Sequence, residues 1–350
     1  MLLSILPDVS EATQLLPFLH AAAARRHLSA QEAEAAMRAI LENEATIAQI
    51  SAFLIAVHMK GETAAELAGF ARALRAAAVP VPFAVGPGET LLDTCGTGGD
   101  GLSTFNISTT VAFVVAGCGV RVAKHGNRAV SSASGSADVL EHLGVTVAVS
   151  GEQAARALQD AGICFLFAPA FHPATRQVQT IRRELKLRTP FNLLGPLSNP
   201  AQTDSQIVGT PSLDAAARVA AALAELGLKR GYVVHGHDGL DEVSLSGPTT
   251  AFRIQGGKAT EATLTPEDFG MKRAPMETLR GSTPQENARI TLQILSGERG
   301  PRRDIVLMNA ALALMAARKV ETIEDGVRAA ELSIDYGGAQ QKLDQLRSAK

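Results

Sequence analysis

A glycine-rich loop set between two apolar runs constrains this chain more than any other feature in it. TLLDT, at 90–94, has the composition of a buried strand, and NISTTVAFVVAG, at 106–117, reads as the start of a buried helix. Between them stand Gly96, Gly98, Gly99 and Gly101. Strand, glycine loop and helix start, in that order, is how α/β proteins build anion sites from main-chain N–H groups and the positive end of a helix.

The alternation continues downstream. VRVAK, VTVAV, CFLFA, QIVGT, GYVVH and TAFRI are short, near-continuous apolar runs, and helical patterns such as SADVLEHLG, GEQAARALQDAG and LDAAARVAAALAELGL lie between several of them. Strands of this kind alternating with helices predict a mostly parallel sheet covered by helices.

Upstream of the prolines Pro80 and Pro82 the pattern is helical only. Ser29 with Glu32, Thr46 with Gln49 and Thr63 with Glu66 have the spacing of capping boxes. Ile47, Ile50, Leu54 and Val57 share one helical face, and Gly61 has the position of a C-cap. That face is core or a pairing surface, and amphipathic helices mostly serve cores. The expected fold is therefore α/β, with a small all-helical N-terminal domain over 1–79 and a larger α/β domain over 80–350. A polar, proline-bounded stretch from about 172 to 200 interrupts the alternation and is expected to pack back on the helical domain.

Composition excludes several functions. A formal net charge of -2, aromatics at 4% and no Trp leave neither a polyanion surface nor base-stacking platforms, so no nucleic-acid partner is expected. Cys95, Cys118 and Cys164 are far apart in sequence, which fits a reducing cytoplasm. No signal peptide or membrane span is read.

Gly96, Gly98 and Gly101 match GxGxxG, but the dinucleotide fingerprint wants an acidic residue at the end of the second strand. This chain has Lys124 and His125 there, and a cation suits another phosphate better than a ribose hydroxyl. No GK[ST] follows, so it is not a P-loop. A third donor cluster, Ser131, Ser132, Ser134 and Ser136, precedes a helix. Three convergent donor groups at strand ends point to a ligand with more than one phosphate. Asp241 and Glu242 follow a strand and a glycine, and oxygen ligands of this kind suit Mg²⁺. His235 and His237 lack a third close ligand for zinc. Arg182, Arg183 and Arg188 are candidates for a bidentate carboxylate contact, or a solvated helix face paired with Glu184.

GTGGDGLSTFNIST, KHGNRAVSSASGSADVLEHLG, RRELKLRTPFNLLGPLSNP and VHGHDGLDE, with AFLIAVHMKGET in the helical opening, resemble the anthranilate phosphoribosyltransferases. The resemblance runs in order over nearly the whole chain. It implies a homodimer, formed through the helical domain, that joins anthranilate to phosphoribosyl pyrophosphate (PRPP) with Mg²⁺ and releases pyrophosphate in tryptophan biosynthesis. It implies PRPP contacts from Gly96, Gly99, Asp100, Thr104, Asn106, Ile107, Ser108 and Thr109. The run Lys124, His125, Gly126, Asn127, Arg128, Ala129, Val130, Ser131 and Ser132 follows, with Ser136. Ser108, Asp241 and Glu242 match the metal positions, and Gly96, Asn127 and Arg182 the anthranilate positions. No side chain is required as a nucleophile, and Cys95 is read as a small packed residue. Lys186 stands where the family usually has glycine, and Thr175 where methionine is common.

Overall fold

A computed structural model describes residues 14–129 and 134–349. Its N-terminal part is four helices: α1 (Leu16–Ala23), α2 (Ala30–Leu41), α3 (Ile47–Lys60) and α4 (Ala64–Ala76). All three capping boxes read from the sequence form, opening α2, α3 and α4, and Gly61 ends α3 with φ +83°. The buried Glu66 ties this part together. It accepts from Leu28 N at 2.8 Å, Thr63 N at 2.9 Å and Lys60 Nζ at 2.6 Å. Ile50, Leu54 and Val57 are buried as expected. Ile47 is not: it lies in the first turn of α3, beyond the reach of the core, and is 47% exposed.

The rest alternates: β1 (Leu91–Asp93), α5 (Ile107–Gly117), β2 (Arg121–Gly126), α6 (Ser136–His142), α7 (Gly151–Asp160), β3 (Ile163–Phe167), α8 (Ala168–Phe171), α9 (Arg176–Leu185) and α10 (Phe191–Leu194). Then come β4 (Ser205–Gly209), α11 (Leu213–Glu225), β5 (Arg230–Gly236), β6 (Thr249–Gln255), β7 (Lys258–Leu264), α12 (Pro284–Leu295), α13 (Pro301–Ala316), α14 (Ile323–Asp335) and α15 (Gly338–Ser348). The strands form one sheet in the order β3-β2-β1-β4-β5-β6-β7. The first five are parallel, with Leu92 opposite Val122 on one side and Ser205 on the other, and β6 and β7 run antiparallel.

Alternate residues of the strands enter opposite cores. Ile207, Tyr232 and Val234 join the apolar cluster of α5 and α13, while Val208, Val233 and Phe252 join that of α11 and the N-terminal helices. Val178, Ile181, Leu193 and Leu194, from the stretch over 172–200, lie in this second cluster.

Two segments depart from the sequence reading. VTVAV, at 145–149, is not a strand. Val145 and Val147 are buried in the core, but β3 holds the place beside β2, so the alternation records burial without pairing. Conversely KATEATL, too polar to read as a strand, forms the edge strand β7. An edge strand needs main-chain partners on one side only and no buried face.

Candidate functional site

The parallel strands deliver their C-terminal ends to one side, and β1 lies at the point where the order reverses from β2 to β4, the usual crevice for ligands in such sheets. Here the loop after β1 meets β4. Thr97 N donates to Gly209 O at 2.9 Å, and a Cβ on Gly96 would lie 3.1 Å from that same oxygen. Gly209 in turn has no room for a side chain, because the Asp241 carbonyl fills the space. Glycines at 96 and 209 thus let three strand ends close on one another.

Gly98, Gly99 and Gly101 have φ of +68°, +87° and +73°, which turns the loop outward. The N–H groups of Gly98, Gly99, Asp100 and Gly101 donate to no protein acceptor among the described residues. The loop's far end is anchored, with Phe105 N donating to Leu279 O at 3.1 Å and Gly281 N to Ser103 O at 2.9 Å, beside a bridge from Thr104 to Arg280. Asn106 precedes α5, but its side chain caps nothing; it donates to Ser134 O and accepts from Asn287 Nδ2 at 2.9 Å. Ile107 and Thr109 are buried in the first turn.

Beneath the loop lies a polar network. Lys124 is buried, and its Nζ donates to Thr94 O at 3.1 Å, Thr94 Oγ1 at 3.3 Å and Ser108 Oγ at 3.2 Å. All three of its donors are taken by protein, which leaves its charge and its hold on Ser108 as what it presents to the cleft. Asp93 accepts from His125 N at 3.1 Å and Asn199 Nδ2 at 2.7 Å; burial raises its carboxyl to about 6 against the pull of Lys124. The His125 ring points the other way, its Nδ1 2.9 Å from Gly195 O, and it is held neutral by burial and by His172. Cys95 is buried with its thiol pushed up by desolvation, which makes it inert.

The structure brings Asp241 and Glu242 to this network. Desolvation, then the charges of Asp100 and Glu242, raise Asp241 well above the usual carboxylate range. Desolvation also raises Glu242, opposed by Lys124, increased by Asp100 and opposed by the Ser108 main chain. Asp100 Oδ1 accepts from Leu102 N, whereas its buried Oδ2 has no hydrogen-bond partner among the described residues. No preformed cluster of three metal-ligating side chains occurs among the described residues. Three mutually repelling carboxylates, one with an orphaned oxygen and all three residues still partly open to solvent, nonetheless fit a hard divalent cation, which would relieve their repulsion. His235 and His237 lie outside this set, hydrogen-bonded to Thr210 O and Thr250 Oγ1.

The third wall is the serine segment. Ser136 Oγ donates to Asn127 O at 3.2 Å, and a side chain on Gly126 would collide with it. Asn127 is exposed, with its Oδ1 accepting from Arg128 N at 2.8 Å. Ala129 N donates to Asp138. The Arg128 guanidinium turns away to Asp138 and Glu141 and lies over Phe167, so only its main chain faces the cleft. Val130, Ser131 and Ser132 lie outside the described residues.

The arginines of α9 and its flank differ. Arg183 is exposed beside Thr180. Arg182 is mostly buried, stacked 5.6 Å from the Phe191 ring, with one long contact to Asn192 Oδ1 at 3.5 Å and an unpartnered Nε. A desolvated guanidinium with unused donors is suited to a planar carboxylate. Lys186 ends α9 in the left-handed region, φ +50°, a conformation that glycine adopts most readily. Thr175 is buried and donates to His172 O at 2.7 Å.

Asp93, Thr94 and Asn199 complete this network without a sequence signal: Thr94 holds Lys124, Asp93 holds His125 N and Asn199 holds Asp93, and such indirect partners carry no local motif.

Two family models match the chain: the glycosyl transferase family helical bundle domain over 16–78 and its a/b domain over 88–340. The anthranilate phosphoribosyltransferase of Solibacter usitatus is 54% identical over 332 residues, covering 95% of this chain and 97% of that one. This chain belongs to the anthranilate phosphoribosyltransferase family. Two solved members share its architecture. The Thermus thermophilus enzyme is 42% identical with a TM-score of 0.89, covering 95% of this chain and 98% of that one. The Saccharomyces cerevisiae anthranilate phosphoribosyltransferase has been solved with PRPP and Mg, at 31% identity, TM-score 0.85 and 97% of both chains. It has also been solved with 4-fluoroanthranilate, at 30% identity, TM-score 0.85, covering 97% of this chain and 98% of that one. No helix among the described residues is long and apolar enough to cross a membrane.

Proposed function

We infer that this chain, like the family members it matches, transfers the phosphoribosyl group of PRPP to the amine of anthranilate, releasing pyrophosphate, in tryptophan biosynthesis. One observation carries the reading beyond family membership. Free N–H groups on the glycine loop stand beside three carboxylates that need a cation, the pairing that a metal-bound diphosphate satisfies.

Mg²⁺ is assigned to Asp241, Glu242 and Ser108, with Asp100 alongside; when bound it would supply Lewis-acid neutralisation of the diphosphate. The chain's own work is positional. Gly98–Gly101 offer N–H donors to phosphate oxygens, α5 turns its N-terminus toward them, and Lys124 fixes Ser108 while neutralising Glu242. Gly96, Gly99, Asp100, Thr104, Asn106, Ile107, Ser108 and Thr109, the run 124–132 and Ser136 are assigned to PRPP. Arg182, Asn127 and Gly96 are assigned to anthranilate. The amine attacks ribose C1 as the C1–O bond to pyrophosphate breaks, the amine's proton passes to the departing pyrophosphate or to solvent, and no side chain forms a covalent bond.

The helical unit over 1–79 and the α/β unit over 80–350, with 172–200 on the helical side, would face each other across the cleft, both lending residues to the substrates. The exposed Ile47 and Met59 on α3 support a homodimer through the helical unit, and three free cysteines support a cytoplasmic location.

Loss of anthranilate fluorescence on mixing protein, PRPP and Mg²⁺, abolished by EDTA, tests the reading. Phosphorolysis of thymidine or uridine without that loss would overturn it.

A further inference from the structure

Arg188 is the one arginine of its segment that reaches the glycine loop. A methyl placed on Gly99 would lie 3.3 Å from Arg188 Nη2 and 3.8 Å from Cζ and Nη1, so the whole guanidinium faces the main chain there. It makes no hydrogen bond or ion pair among the described residues. Asp100 is the next residue in the loop, and its buried Oδ2 has no hydrogen-bond partner among the described residues. An unpaired guanidinium therefore lies against a stretch of main chain with four free N–H groups. Donors without acceptors on both walls describe an anion's place.

The two walls belong to different cores. Gly99 hangs from β1, whereas Arg188 sits between α9 and α10, whose Val178, Ile181, Leu193 and Leu194 pack with the N-terminal helices. The left-handed Lys186 turns the chain out of α9, and Thr189 N is then held by Asn192 Oδ1 at 2.9 Å. Arg188 is thereby presented across the cleft while Arg182, one turn and a half earlier, stays buried.

We propose that Arg188 is a further substrate-binding residue that clamps the diphosphate of PRPP, and the departing pyrophosphate, against the Gly98–Gly101 main chain. The proposal rests on the phosphoribosyl reading of the site. It divides the arginines by ligand: Arg182 for the aromatic carboxylate, Arg188 for the diphosphate. A guanidinium fork binds phosphate oxygens bidentately, which a lysine cannot do.

The test uses inorganic pyrophosphate with Mg²⁺, titrated calorimetrically into the full chain, alongside steady-state kinetics. Arg188→Ala should weaken pyrophosphate binding and raise the KM for PRPP by about ten- to a hundredfold, the range of a charge-assisted pair. The KM for anthranilate should stay within about twofold. Arg188→Lys should restore only part of the loss. Because Arg188 is exposed and unpaired, both variants should melt with the parent. Equal pyrophosphate affinity in parent and Arg188→Ala would overturn the proposal and leave the phosphoribosyl reading standing. A parent that neither binds pyrophosphate nor consumes anthranilate would overturn both.

Discussion

Asn309, on α13, grips Val243 by both main-chain groups: Val243 N donates to Oδ1 at 2.9 Å, and Asn309 Nδ2 donates to Val243 O at 3.2 Å. Val243 directly follows Asp241 and Glu242, so this grip sets where their carboxylates stand. The other end of the loop is held by Asp238, which accepts from Leu240 N at 3.1 Å and from the Ser244 and Ser246 hydroxyls. Asn309→Ala leaves two buried main-chain groups unpaired and should cost about 2–3 kcal/mol. Thermal unfolding should show that loss, and half-saturation by Mg²⁺ should need several-fold more ion. A destabilised variant with unchanged Mg²⁺ dependence would reduce Asn309 to a packing role.

Asp241→Asn with Glu242→Gln should separate stability from activity. Folding without metal must either desolvate the charges of this pair beside Asp100 or protonate it, so neutral isosteres should raise the melting temperature of the metal-free protein. Turnover at ordinary Mg²⁺ should fall by at least about a hundredfold. Retained turnover in the double variant would sink the metal assignment.

Arg182→Ala should raise the KM for anthranilate by about ten- to a hundredfold, with a much smaller effect on PRPP. Equal effects on both substrates would point to the lost stacking on Phe191 instead.

Acid should destabilise the fold through two histidines. In the unfolded chain a histidine titrates near 6.5. Burial lowers His125 to about 3, helped by His172, and lowers His172 to about 4. Above about pH 6.5 both states are neutral and this contribution to stability is intact. As pH falls from there toward 4, the unfolded chain takes up protons that the folded chain refuses, and stability drops by up to about 1.4 kcal/mol per pH unit for each ring. Asp93, raised to about 6, takes its proton first in the fold and partly offsets the fall. Urea unfolding at pH 7.5 and 5.5 should therefore show a shallower loss for His172→Asn than for the parent; parallel losses would mean that the His172 ring is protonated in the fold.

Lys186→Gly should stabilise the protein by up to about 1 kcal/mol, since φ +50° strains any side chain. A lower melting temperature would show that the lysine side chain contributes more than its backbone costs.

Much of this molecule was legible from local patterns. Each capping box needs only residues three apart, and each formed. GTGGD with KHGN placed the loop and the strand end that lie side by side, because parallel strands bring their C-terminal ends together whatever their order. Reading failed where the deciding partner is remote. VTVAV alternates like a strand but found its sheet position occupied by β3, and KATEATL does not alternate but pairs with β6. Lys124 reads as a free phosphate donor, yet Thr94 and Ser108 take all its protons.

The sequence by itself determined the fold class, the glycine loop after β1 and the neighbouring carboxylates, since hydrophobic period, glycine position and family motif all act within a few residues. Only the tertiary structure decided what each charge is free to do. Arg128 is consumed by Glu141, Arg182 is half-buried with a vacant donor, and Arg188 stands unpaired at Gly99. The three have the same side chain, and what separates them is which acceptors and how much water the rest of the fold leaves within reach.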